Sequence, residues 1–175
     1  GEGQLDYRTF DDHAARLAAH LLTQGVRPGD KLAILMHNRP EWLVAMFAAF
    51  KVGAAPVPIN FRYKPAEADL ILEDSEATGL VFPASLVEMV SALEQPTLRR
   101  IALVQVDDDP QVPVLAGSVA YSDAITGEPY VTDESYPDGE LFIYTGGTTG
   151  RPKGVVWGLD DMLDIQSFTT YGAIG

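Results

Sequence analysis

The sequence predicts an α/β fold in which a layered, mostly parallel sheet carries helices on both faces. Helical and strand-like patterns alternate as far as residue 106, and such regular alternation is typical of parallel sheets. The strand-like runs are short and continuously apolar, as expected for strands covered on both faces. Of the 175 residues, 46% are hydrophobic and 21% are charged, which indicates one folded globular core.

The first helix is predicted to begin near Thr9, because Asp12 follows it three residues later in the spacing of a helix start. Apolar residues then recur at helical spacing, and Gly25 ends the helix. A turn at residues 27–30 leads into a short buried strand at residues 31–36.

The second helix is predicted to begin near Pro40, a favoured first-turn residue, and to end before Gly53. Apolar side chains encircle it almost completely, so we expect it to be buried inside the domain. Shorter runs predict the remaining elements of this region, which are strands at residues 54–59, 79–82 and 100–106 and helices at residues 65–74 and 84–93.

Four regions are predicted along residues 1–175, which we interpret as part of one domain. Residues 1–106 contain the alternating elements, and residues 107–139 form an irregular connection in which only residues 121–125 resemble a short helix. Residues 140–157 read as a strand, a glycine-rich loop and a second strand. Residues 158–175 contain the start of the next helix.

Charge and composition exclude several classes of function. Twelve basic and 25 acidic side chains give a formal charge of −13, so the surface should repel nucleic acid and anionic lipid. The absence of cysteine rules out disulfides and thiolate chemistry and fits a reducing compartment, for which we expect the cytoplasm. No apolar stretch reaches the ~20 residues of a transmembrane helix, and no signal peptide is evident.

The loop at residues 145–154, TGGTTGRPKG, has the composition of a phosphate-binding site. Glycines allow several backbone N–H groups to approach one anion. Threonine hydroxyls can bind phosphate oxygens or magnesium, and Lys153 adds a compact positive charge. Together these groups suit a polyphosphate held at its terminal groups.

Other interpretations of this loop remain open or fail on spacing. A glycine-rich hairpin turn without chemistry is the structural alternative. A Walker A loop would place Ser or Thr after the lysine and then open a helix, whereas Gly154 follows Lys153 and a strand is predicted next. The dinucleotide pattern Gly-x-Gly-x-x-Gly does not occur in the chain.

Residues 144–154, YTGGTTGRPKG, resemble the signature phosphate loop of the adenylate-forming superfamily, which includes acyl-CoA synthetases, peptide synthetase adenylation domains and luciferases. The resemblance covers nearly the whole chain, since four upstream stretches also match: LDYRTF at residues 5–10, GVRPGD at 25–30, NRPEW at 38–42 and GAAPVPIN at 53–60. It implies that residues 1–175 belong to the N-terminal AMP-binding domain, without the C-terminal domain.

The resemblance also implies an activity. Members of the superfamily activate a carboxylate with ATP and magnesium to an acyl-adenylate and then pass the acyl group to a thiol, here CoA. Lys153 would neutralise charge on the departing pyrophosphate, and Thr145 would lie next to magnesium. The residues implied to contact the ATP phosphates are Thr145, Gly146, Gly147, Thr148, Thr149, Gly150, Lys153 and Gly154.

The sequence departs from the superfamily's usual pattern at two places, and these departures indicate which members it resembles most. Many relatives have serine or threonine at the position of Gly146, so one hydroxyl contact is lost there. Many also have a Ser-His pair after the loop, whereas residues 157–161 are WGLDD. This form looks most like fatty-acyl-CoA synthetases, which indicates a role in fatty acid metabolism.

Alternatives and missing parts follow from the same comparison. Two other functions stay open. One is an adenylation domain that loads a carrier protein, and the other is a folded fragment without catalysis. Assembly as a homodimer also stays open. The superfamily's adenine-binding motif, ribose-binding aspartate and C-terminal lysine lie downstream of the phosphate loop, beyond residue 175. We therefore expect the 175-residue chain alone to be inactive.

The other chemically capable residues have simpler interpretations. The three histidines lack partners at metal-ligand spacing and are expected to be solvated or packed, and Ser85 and Ser118 lack the glycines of a nucleophile elbow. The acidic run at residues 107–109 is expected to be a solvated turn rather than a calcium site. Residues 38–42 are either a ligand-facing loop or a helix start with Trp42 in the core.

Overall fold

The computed structural model describes residues 5–94, 101–131, 139–145, 153–158 and 160. Its helices and strands, in chain order, are α1 (Tyr7–Thr23), β1 (Lys31–Leu35), α2 (Pro40–Val52), β2 (Ala55–Ile59), α3 (Pro65–Asp74), β3 (Gly79–Pro83), a 3-10 turn (Ala84–Leu86), α4 (Val87–Ser91), β4 (Ala102–Val106), β5 (Ser118–Ala120), α5 (Tyr121–Ala124), β6 (Glu140–Thr145) and β7 (Lys153–Gly158).

The first five strands form one parallel sheet in the order β2-β1-β3-β4-β5. This arrangement confirms the predicted α/β fold. The chain passes from β1 to β2 on one side and then returns to β3 on the other, so the strand order reverses beside β1. The carboxyl ends of all five strands therefore lie along one edge of the sheet.

Two hydrophobic cores cover the two faces of this sheet. Leu32 and Ile34 of β1 belong to the first core, with side chains of α1 and α2. Ala33 and Leu35 belong to the second core, with side chains of α3 and α4. Because successive side chains of a strand point to opposite faces, a strand covered on both sides is apolar throughout, which explains the unbroken apolar runs.

Helix α1 begins at Tyr7, so the predicted start near Thr9 is wrong. Asp6 is the N-cap, and its Oδ1 accepts a hydrogen bond of 2.7 Å from the backbone N–H of Thr9. That hydrogen bond holds the pKa of the Asp6 carboxyl below its ordinary value. Thr9 is therefore a residue of the first turn that donates to the cap, and it is not the cap itself.

Helix α2 is less buried than its composition predicts. Leu43 and Phe47 are 46% and 38% exposed, although the opposite side of the helix lies in the first core. The exposed side borders an open apolar groove of about 880 Å³ between α1 and α2, in which Phe10 and Trp42 also lie. The prediction that α2 is wholly enclosed is therefore wrong for this side.

The connection after β4 contains a strand that the sequence did not predict. Gln105 is 1% exposed; its Nε2 donates to the carbonyl of Pro113 at 3.2 Å and its Oε1 accepts from the N–H of Leu115 at 2.8 Å. These bonds fix the loop that leads into β5, which pairs with β4. The short helix predicted at residues 121–125 is present as α5.

The last two described strands form an antiparallel hairpin beside the main sheet. Strand β6 pairs with β7 and contacts β2, the edge strand of the five-stranded sheet. Phe142 and Tyr144 of β6 pack against the second core. The strands predicted on either side of the glycine-rich loop are therefore present, and their inner face is attached to the body of the protein.

Candidate phosphate-binding site

The structure describes both ends of the predicted phosphate loop. Thr145 is the last residue of β6, and Lys153 and Gly154 are the first two residues of β7. The other predicted contacts, Gly146, Gly147, Thr148, Thr149 and Gly150, lie outside the described residues. The geometry of the site is therefore built from the hairpin that carries these ends.

Strand pairing brings the two functional side chains at the loop ends together. Thr145 is the cross-strand partner of Lys153, and both side chains are exposed. Directly opposed residues of an antiparallel pair project from the same face, so a hydroxyl and an ammonium group share one side of the hairpin. This pair is suited to an oxygen-rich anion.

The opposite face of the hairpin is fixed to the rest of the protein through two aromatic rings. The hydroxyl of Tyr144 donates a 2.7 Å hydrogen bond to Oδ2 of Asp74, the last residue of α3. The Lys31 ammonium nitrogen lies 5.7 Å from the centroid of the Phe142 ring, within the range of a cation–π contact. The hairpin is thus attached at two points along β6.

Tyr144 remains a hydrogen-bond donor across the physiological range. Burial raises the pKa of its hydroxyl, and the hydrogen bond to Asp74 and the negative charge of that carboxylate raise it further. A neutral hydroxyl carries the proton that Asp74 accepts. The contact between β6 and α3 therefore does not depend on pH near neutrality.

Gly154 is required for packing rather than for an unusual backbone angle. Its φ is not among the positive values of the described glycines, and it lies in β7 opposite Tyr144. A Cβ at this position would lie 3.1 Å from Cζ of the Tyr144 ring. The sequence predicted a phosphate contact for Gly154, and the structure adds that its bare Cα accommodates the ring.

A second polar cluster lies at the carboxyl edge of the parallel sheet. Arg39 forms salt bridges of 2.7 Å to Glu41 and 2.9 Å to Asp108. Asp108 also accepts hydrogen bonds from the backbone N–H and hydroxyl of Ser85, at 2.9 and 2.7 Å. The cluster joins the segments that follow β1, β3 and β4, so it links three strand ends.

The pKa of Asp108 is consistent with a structural role for this cluster. Burial raises the pKa of Asp108, but the hydrogen bonds from Ser85 and the charge of Arg39 outweigh burial, and the pKa lies below its ordinary value. The predicted solvated turn is therefore wrong for Asp108, whose side chain is only 15% exposed. Residues 38–42 are a helix start, with Trp42 partly buried at the first core.

The histidines show no metal-binding arrangement. The Tyr121 hydroxyl lies 3.3 Å from Nδ1 of His13, and the ring of His37 packs on Phe61 with centroids 4.1 Å apart. Burial lowers the pKa of His20. Among the residues that the structure describes, no group of three or more histidine and acidic side chains is placed to hold a metal ion.

No helix within the described part of the chain is both long and apolar enough to cross a lipid bilayer.

Comparison with known proteins gives consistent results. Residues 1–171 match the AMP-binding enzyme family. The chain is 36% identical over 168 residues to a medium/long-chain-fatty-acid–CoA and 3-oxocholest-4-en-26-oate–CoA ligase of Mycobacterium tuberculosis, covering 94% of this chain and 31% of that ligase. It is 37% identical over 156 residues to feruloyl-CoA synthase of an Amycolatopsis species, covering 89% of this chain and 28% of the synthase.

A solved structure supports the same fold. The crystal structure of the anthranilate CoA ligase AuaEII in complex with anthranoyl-AMP matches with a TM-score of 0.76 and 26% identity, over 86% of this chain and 29% of that one. The chain therefore spans about a third of the length of the proteins it matches. With the family match over nearly all of its residues, the chain belongs to the AMP-binding enzyme family.

Proposed function

We propose that this chain forms the phosphate-binding, N-terminal part of an ATP-dependent acid–CoA ligase. The observation that carries the proposal is the pairing of Thr145 with Lys153. It sets a hydroxyl and a cation at the two ends of residues 146–152, whose sequence is GGTTGRP. Glycine backbone, hydroxyls and a cation together suit the terminal phosphates of ATP.

The proposed reaction has two steps. A carboxylate oxygen of the acid attacks the α-phosphorus of ATP, the bond from that phosphorus to the oxygen bridging to the β-phosphorus breaks, and the electron pair leaves on pyrophosphate. The sulfur of CoA, which loses its proton, then attacks the acyl carbon. AMP departs with the electron pair of the broken acyl–oxygen bond, and the thioester remains.

The chain's own residues would act on the first step. Lys153 would neutralise negative charge that builds on the departing pyrophosphate, an effect worth ~3 kcal/mol for one well-placed group. Thr148, Thr149 and the backbone N–H groups of the loop glycines would hold the phosphates. Magnesium bound with ATP would supply further charge neutralisation, and the exposed hydroxyl of Thr145 is the kind of oxygen that it binds.

The substrate class follows from what the named relatives have in common. Their names specify fatty acids, a steroid acid, ferulate and anthranilate, and each of these acids carries its carboxylate on a mainly apolar body. We extend that class to this protein, with fatty acids as the preferred members because of the Trp157-containing sequence after the loop. A cytoplasmic location is part of the proposal, since the cysteine-free sequence suits a reducing compartment.

Substitution of Lys153 in the full-length ligase tests the proposal. We expect Lys153→Ala to lower kcat/KM for ATP about 100-fold in acid-dependent exchange of labelled pyrophosphate into ATP, because one charge-stabilising group is lost. Lys64→Ala is the matched control, since Lys64 is exposed at the start of α3. Its exchange rate should stay within about twofold of the unmodified enzyme.

Two outcomes would contradict the proposal. Unmodified full-length protein that shows no acid-dependent exchange with any fatty or aromatic acid would indicate a folded protein without this chemistry. An undiminished kcat/KM for ATP in Lys153→Ala would mean that the lysine does not act on the phosphates.

A further inference from the structure

We propose that Tyr144 and Asp74 form a positioning contact that fixes the two ends of the phosphate loop relative to the main sheet. This inference rests on the proposed function, because it concerns how the same loop is held for ATP. It adds two residues, Tyr144 on the inner face of the hairpin and Asp74 at the end of α3, which are 70 positions apart in the sequence.

The first observation is the place of Tyr144 in the hairpin. It directly precedes Thr145, and its cross-strand partner Gly154 directly follows Lys153. Its ring also packs where a Cβ of Gly154 would lie 3.1 Å away. Tyr144 is therefore in contact with both strands at the pair of positions next to the one that borders the loop.

The second observation is that a hairpin of this size needs external support. An isolated two-stranded hairpin is at best marginally stable in water. On the outer face, Ile143 and Val155 are a cross-strand pair and are 36% and 40% exposed. Leu141, farther from the loop on this face, is buried. Near the loop, support therefore comes from the inner face, where Tyr144 supplies a side-chain hydrogen bond.

The third observation concerns the residue that accepts this bond. Asp74 ends α3, and the last turn of α3 contains no basic residue. A carboxylate at a helix C-terminus is unfavourable, because the helix dipole places partial negative charge there. Asp74 does not serve the stability of α3 in this position, whereas it serves the hairpin by accepting the hydroxyl of Tyr144 at 2.7 Å.

The consequence for the reaction is geometric. A catalytic group that moves by about 1 Å can lose on the order of 100-fold in rate, and Lys153 is one residue from the packed Tyr144–Gly154 pair. When the hydroxyl is lost, the ring of Tyr144 is free to shift, and we expect the two loop ends to move with it. The defect should appear in the use of ATP and leave the binding of the acid unchanged.

The experiment uses the full-length ligase with Tyr144→Phe, Asp74→Ala, which removes the acceptor of the hydrogen bond, and the double variant. We expect each single variant to lower kcat/KM for ATP about fivefold in pyrophosphate exchange, with KM for the acid changed less than about twofold. The double variant should be no worse than either single variant, because both changes remove one interaction.

Tyr121→Phe provides a matched control. It also removes a tyrosine hydroxyl with a side-chain partner, His13 at 3.3 Å, but Tyr121 lies in the first core on the other face of the sheet. We expect Tyr121→Phe to reduce the free energy of unfolding in urea while leaving kcat/KM for ATP unchanged.

The results distinguish failure of the positioning role from failure of the proposed ligase function. Three results would overturn the positioning role while leaving the ligase function intact. The variants could keep their kcat/KM for ATP, they could lose affinity for ATP and acid equally, or the losses in the double variant could be additive. If Tyr144→Phe fails to fold, the kcat/KM for ATP and the KM for the acid of Asp74→Ala alone decide. Unmodified enzyme without acid-dependent exchange would instead overturn the ligase function and, with it, the need to position the loop.

Discussion

Gly154 shows how a single residue connects a sequence motif with packing. In the sequence it is one more glycine of a phosphate loop, whose expected use is backbone freedom. In the structure it is part of a strand, and the ring of Tyr144 lies so near that a Cβ would be in tight contact with it, at 3.1 Å. Gly154 therefore has a packing role in addition to the phosphate contact proposed for it.

Substitution of Gly154 by alanine gives a prediction at this scale. The new Cβ would lie 3.1 Å from the Tyr144 ring, so the ring must shift by a few tenths of an ångström, and we expect this shift to disturb its hydrogen bond to Asp74. We expect Gly154→Ala to lower kcat/KM for ATP by about fivefold or more in pyrophosphate exchange. Gly127→Ala is the control, because nothing lies within 4 Å of a Cβ at that position. Equal activity of both variants would contradict the packing role.

At the scale of the elements, the polar cluster at the carboxyl edge joins segments that the sheet itself leaves separate. Arg39 follows β1, Ser85 follows β3 and Asp108 follows β4. Salt bridges and hydrogen bonds among them hold the three strand ends together. The strength of this junction should depend on whether Asp108 is ionised.

The ionisation of Asp108 predicts how stability changes with pH. Its folded-state pKa lies below the ordinary value of 3.8, so the unfolded chain binds a proton at higher pH than the folded chain does. Its contribution is therefore present above pH 3.8 and is lost as pH falls through the folded-state pKa. We expect the free energy of unfolding, measured in urea, to fall more steeply in this acid range for the unmodified chain than for Asp108→Asn. Parallel curves would show that the carboxylate contributes nothing.

Sequence patterns predicted the helices and strands well where burial gives a regular pattern of apolar residues. The parallel strands were evident because both faces are covered, and α3 was predicted with its observed bounds, Pro65–Asp74. The start of α1 was wrong because Asp6 and Thr9 are both residue types that cap helices, and local sequence does not decide between them. Strand β5 was missed because it is only three residues long, and because the loop that leads into it is fixed by side-chain hydrogen bonds of the buried Gln105 rather than by a local sequence pattern.

At the scale of the whole molecule, the candidate site was predicted only in part. Residue types at short spacing indicated a phosphate loop, and the resemblance to the adenylate-forming superfamily implied the roles proposed for Thr145 and Lys153. The contact between Tyr144 and Asp74 could not be predicted in this way, because tertiary packing brings together residues 70 positions apart. The sequence thus indicated what the loop is suited to bind, whereas the fold reveals how the loop is attached.

The extent of the chain gives a prediction for its isolated form. The chain spans 31% of the length of the mycobacterial ligase, and in the adenylate-forming superfamily the adenine and ribose contacts lie downstream of the phosphate loop. We expect the 175-residue chain to show no acid-dependent exchange of pyrophosphate into ATP with magnesium and a panel of carboxylates. Far-UV circular dichroism must show its helices, so that inactivity is not mistaken for unfolding. Robust exchange by the isolated chain would prove this expectation wrong.

The antiparallel pairing of β6 with β7 limits how this region can change in evolution. An added or deleted residue inside β6 would turn the side chains between it and the loop to the opposite face, and Thr145 would then project toward the core instead of sharing a side with Lys153. The same change among residues 146–152 would leave the pairing intact. Natural length variation in homologous proteins should therefore fall between the strands and be absent from them.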